Sequence, residues 1–89
     1  MDHTNASWKN ENVISQLRNS VESVSMAVGQ AQSHPSEQLI EQARNLIDRT
    51  NHAAYNALLN TRHPAPVHEL LRQLTQEKEK LQTLSPAKD

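Results

Sequence analysis

The stretch Ile14-Ser15-Gln16-Leu17-Arg18-Asn19-Ser20-Val21-Glu22-Ser23-Val24-Ser25-Met26-Ala27-Val28-Gly29-Gln30-Ala31 decides the fold class. Its apolar residues Ile14, Leu17, Val21, Val24, Val28 and Ala31 follow one another at steps of three and four. That spacing puts them on one stripe of an α-helix, the seam of a heptad pattern. Val13 and Ala27 widen the stripe, while Ser15, Arg18, Glu22 and Ser25 face water. Asn10 or Asn12 can cap the start. Gly29 weakens the helix somewhat and points to close approach of a neighbouring helix. Ser33-His34-Pro35-Ser36 ends the run, because proline disfavours helical geometry in the residue before it.

Working outward, a second helix begins at Pro35 or is capped by Ser36, with Glu37 at its positive end. It carries two apolar rows. One is Leu39, Ala43, Leu46, Thr50, Ala53 and Ala57; the other is Ile40, Ile47, Ala54 and Leu58. Two rows suit a middle helix with a neighbour on either side. Asn60 to Pro66 breaks the pattern. A third helix starts near Pro66, with Val67, Leu70, Leu71, Leu74, Leu81 and Leu84 as its apolar set. Between Leu74 and Leu81 the seam position falls on Lys78 in one register and Glu77 in the other, so its far half is expected to be less buried. Ser85-Pro86 stops it. The short connectors force antiparallel neighbours.

The expected fold is therefore all-α: an antiparallel three-helix bundle, or a helical hairpin plus a third helix, with dimerisation open to it. Residues 1–10 read as a flexible N-terminal arm, 11–85 as a single helical domain and 86–89 as a C-terminal tail. Trp8 is the one bulky group in the arm; it reads as a staple folded onto the bundle, or as an anchor for a partner.

Composition supports helices and limits the core. There is one Gly, and strand-rich folds need many turns. There is no Phe, and Leu, Ile and Val make up roughly a fifth of the 89 residues. A net charge of -1 and periodic apolar residues argue against disorder. With so little bulk, self-association is a natural remedy. The competing expectation is a monomer that absorbs every stripe.

Chemistry finds little purchase. The chain has no Cys, which removes thiolate metal sites and a Cys nucleophile. His3, His34, His52, His63 and His68 include no i, i+4 pair, and an up-down-up bundle sends His34 and His63 to opposite ends, so no metal site is expected. Glu37, Glu41, Asp48, Glu69, Glu77 and Glu79 mostly lie off the stripes, and Arg44 and Asp48 read as a surface ion pair. No Gly-x-Ser-x-Gly turn or glycine-rich phosphate loop exists. No catalytic residue, cofactor or enzymatic activity is expected. Nine Lys and Arg against ten acids, spread along the chain, give no basic patch for nucleic acid. No apolar run spans a membrane, and Asn5-Ala6-Ser7 reads as a chance glycosylation triplet in a cytoplasmic protein.

The segment Val21 to Gln32 followed by Leu39 to Asp48 resembles small helical proteins of unknown function from Bacillus-type bacteria. The resemblance implies a bacterial cytoplasmic protein and transfers no functional residue. The reading that follows is a non-enzymatic protein–protein interaction module, self-associating and open to another protein as partner. The alternative is a small nucleic-acid-binding regulator.

Overall fold

The computed structural model describes the backbone of residues 2–85 and the side chains of residues 13–85. It is all-α: α1 spans Asp2–Ser33, α2 Glu37–Asn60 and α3 Pro64–Gln82. Each helix packs against both others, in a body of 60 × 18 × 15 Å. This is the expected antiparallel three-helix bundle.

The core is a pure heptad seam. Its members are Leu17, Val21, Val24, Val28 and Ala31 on α1; Ile40, Ala43, Ile47, Thr50, Ala54 and Ala57 on α2; and Val67, Leu70, Leu74, Glu77 and Leu81 on α3. On every helix the steps alternate between three and four. A helix with this repeat turns the same narrow stripe inward along its whole length, so three stripes meet on one axis.

Four expectations need correction. First, α1 starts at Asp2, so Asn10 and Asn12 lie inside it and cap nothing, and the expected boundary between arm and domain falls within a helix. No Pro or Gly between Asp2 and Asn12 stops the helix, and His3, Ser7 and Asn10, which continue the three-four spacing in the sequence, are polar, so apolar periodicity is silent there. The Trp8 side chain and the 86–89 tail, for which the sequence raised expectations, lie outside the described residues. Second, the two rows of α2 recombine. Ile40 and Ile47 alternate with Ala43, Thr50 and Ala57 in one seam, Leu39 and Leu46 flank it half-buried, and Ala53 is exposed. In a three-helix bundle one stripe meets both neighbours, so a middle helix needs no second face. Third, Glu77 takes the seam position on α3 and Lys78 is exposed, while Leu81 beyond them is buried.

Fourth, Gly29 does not mark a close approach: a Cβ placed there meets nothing within 4 Å. Its helical backbone tolerates any L-residue, since φ is not positive. Gly29→Ala should therefore stabilise the fold by about 1 kcal/mol, since glycine carries the larger entropy cost in a helix. The expected rise in Tm is roughly 4–8 °C for a domain of this size. Thermal melts followed by circular dichroism check it, and an unchanged or lower Tm would mean that the position is confined after all.

The ends of the helices follow local chemistry. Ser36 caps α2, its hydroxyl oxygen accepting a hydrogen bond from the Leu39 backbone N–H at 3.2 Å. Glu37 favours the positive end of the same helix. α3 begins two residues earlier than expected, with Pro64 in the first turn where no N–H is missed.

A charge-poor face on α1 and α2

With the buried residues as heptad positions a and d, the remaining positions of each helix fall on two sides. On one side are g, c and f; on the other, e and b. Val13, Ile14, Ala57, Asn60 and Thr61 line one small hollow, which shows that the g rows of α1 and α2 adjoin. Arg44, Ile47, Asp48, Lys78, Leu81 and Gln82 line another, which shows that the e rows of α2 and α3 adjoin. So α3 covers the e side of the α1/α2 hairpin, and the g, c and f positions form an open face turned away from α3.

That face comprises residues 13, 16, 19, 20, 23, 26, 27, 30 and 33 of α1 and 38, 39, 42, 45, 46, 49, 52, 53, 56, 59 and 60 of α2. Nine positions and eleven make twenty, and Arg49 is the single Lys, Arg, Asp or Glu among them. The thirteen e and b positions over the same two spans hold six: Arg18, Glu22, Glu37, Glu41, Arg44 and Asp48. The remaining charges between residues 13 and 85 lie in the Thr61–His63 connector (Arg62) and on α3 (Glu69, Arg72, Glu77, Lys78, Glu79 and Lys80). Over residues 13–85, charge is thus segregated to one half of the bundle.

The face is also where apolar side chains meet water. Val13, Met26 and Leu59 lie on it, at 43%, 69% and 82% exposure. They are three of the four exposed large hydrophobic residues among those described; the fourth, Tyr55, sits on the b row of α2. Half-buried Ala27, Leu39 and Leu46 run between the helices as a floor. The rest is mostly Ser, Asn and Gln. Charged residues make up 21% of the chain, so one charge in twenty positions is a depletion.

Nothing comparable gathers titratable groups. His34 and His63 stand in the two connectors at opposite ends, His52 takes up the Asp48 carbonyl at 3.0 Å through Nδ1, and His68 is exposed. Among the described residues no three His, Asp or Glu converge as metal ligands would. The Arg44–Asp48 ion pair expected from the sequence is not made. The described ion pairs are Arg72–Glu69 at 3.1 Å and Lys80–Glu77 at 3.4 Å. Arg44 and Lys78 share the α2/α3 hollow, about 180 Å³ in volume, below the range of roughly 300–1,000 Å³ usual for small-molecule sites. Among the described residues no helix is long and apolar enough to cross a membrane.

Residue spacing does not reveal this face, because it places each charge on its own helix and leaves open which side of the hairpin the third helix occupies. Comparison with protein-family models, curated proteins and solved structures returns no match for the chain.

Proposed function

We propose that the protein is a non-enzymatic protein–protein interaction module that docks through the α1/α2 face. The observation that carries this reading is the coincidence of charge depletion with exposed Val13, Met26 and Leu59 on one side of the bundle. The centres of protein interfaces are depleted in Lys, Glu and Asp and enriched in Met and aromatic residues. Solvated positions usually keep their charges, as the exposed Arg18, Glu22, Glu37, Glu41, Arg44 and Asp48 do here. The alternative, a nucleic-acid-binding regulator, needs clustered cations to neutralise phosphates. The face offers Arg49 alone, and the other cations are interspersed with acids.

A photo-cross-linking residue tests the assignment. Ala53→p-benzoylphenylalanine puts the probe on the face, and Gln76→p-benzoylphenylalanine puts it on the exposed side of α3. In cells producing the full chain, protein adducts are expected at residue 53 and not at 76. Equal yields at both, or none at 53, would overturn the reading.

A further inference from the structure

Resting on that reading of the α1/α2 face, we propose that its occupant is a second copy of this chain. In the pairing, α1 of each copy lies against α2 of the other about a two-fold axis along the bundle.

Charge argues for a copy of itself. A face specialised for a charged partner carries the opposite sign, and this one carries a single cation. A neutral surface, by contrast, can be laid on itself without repulsion, as an isologous interface requires.

The pattern along the helices then selects the axis. The connector joins Ser33 to Glu37, and the hollow at the other end puts Val13 beside Ala57 and Asn60. Residues at one level of the hairpin therefore have numbers that sum to about 70–73. Arg49 stands near mid-height, level with Ser23. An axis running across the helices would set α2 on α2 and bring the two Arg49 guanidinium groups together; it would also set Leu46 against His52. An axis running along the helices keeps every level. It sets Leu59 against Val13, Leu46 against Met26, Ala53 against Ser20 and Arg49 against Ser23. Apolar meets apolar, small meets small, and the two arginines lie on opposite sides.

The dimensions are sufficient for a reversible dimer. About 20 residues of helix at 1.5 Å rise give a face roughly 30 Å long, and the bundle is 18 Å across. The product is roughly 540 Å² per copy, or about 1,100 Å² for the pair, at the lower edge of specific interfaces. Dissociation in the micromolar range is expected. Ser20, Ser23, Ala27 and Ala53 also leave room for helix axes to approach to the usual 8–10 Å or so.

Sedimentation equilibrium of the full chain over about 1–500 µM is the first test. The weight-average mass should rise with concentration from 10.1 kDa towards twice that value. Ala53→Glu puts a carboxylate into the paired face, where it must lose water, and should weaken association at least about tenfold, whereas Gln76→Glu on α3 should leave it unchanged. A wild-type mass that stays monomeric overturns self-pairing, as does a dimer indifferent to Ala53→Glu. The axis is tested by disulfide trapping, which is unambiguous in a chain with no cysteine of its own. Copies carrying Val13→Cys should cross-link to copies carrying Leu59→Cys in preference to either with itself; efficient Arg49→Cys homodimers would overturn the axis. The adduct captured through residue 53 separates the two proposals. A product of twice the chain mass supports self-pairing. Any other mass overturns it while leaving the interaction reading in place.

Discussion

Val24→Asp should unfold the protein. Val24 is fully buried, and it stands at the middle of the α1 seam between Val21 and Val28. Loss of its apolar burial costs about 1.5–3 kcal/mol. The larger cost is the carboxylate, which has no cation on the seam to pair with and must either stay charged in an apolar layer or take up a proton there. Removing water from an unpaired ion costs several kcal/mol, and native domains are stable by only about 5–15 kcal/mol, the smaller ones towards the lower end. The substitution therefore exceeds what the fold can lose, and adding Leu17→Asp, one heptad away, makes the result certain to be read. The far-ultraviolet circular dichroism of the variant should fall to that of a largely unfolded chain, with no cooperative urea transition. A variant that keeps the helical signal and a normal transition would show that this stripe is not the core.

Glu77→Leu should raise stability by about 1–2 kcal/mol and Tm by roughly 5–15 °C. Glu77 occupies a seam position, one step after Leu74 and one before Leu81, and its side chain is only 11% exposed. Its compensation is an ion pair to Lys80 Nζ at 3.4 Å, a long contact made with a side chain that is 53% exposed. Such a pair contributes less than about 1 kcal/mol, because water and salt screen it. The layer thus carries much of the desolvation cost of a charge and little of its reward, and leucine removes the cost while filling the seam. Lys80→Ala alone should change stability by no more than about 0.5 kcal/mol. A Glu77→Leu variant that melts lower than the wild type would mean that the Glu77–Lys80 pair is a needed part of the packing.

Most of this architecture is legible in the residues themselves. Leu17, Val21, Val24, Val28 and Ala31 specify a helix with one buried stripe because only α-helical periodicity brings steps of three and four to one side. Pro35, Pro64 and Pro66 place the breaks, and the short connectors between them force the chain back on itself. Where the three-four spacing falls on polar residues, at His3, Ser7 and Asn10, the same signal vanishes although the helix continues. Periodicity fixes the angle of each residue around its own helix axis and nothing more. It could not choose between the two rows of α2, nor between Glu77 and Lys78, because each pair differs by one residue and the choice depends on where the neighbouring helices lie. The candidate interface was beyond its reach for the same reason. A hairpin of two helices has two flanks, and a third helix can cover only one of them. Once α3 takes the flank that holds Arg18, Glu22, Glu37, Glu41, Arg44 and Asp48 along its margin, the opposite flank emerges with Arg49 as its single charge and Val13, Met26 and Leu59 in water. That side-selection is a property of the tertiary packing, set by the handedness with which α3 returns over the hairpin, and no spacing along the chain encodes it.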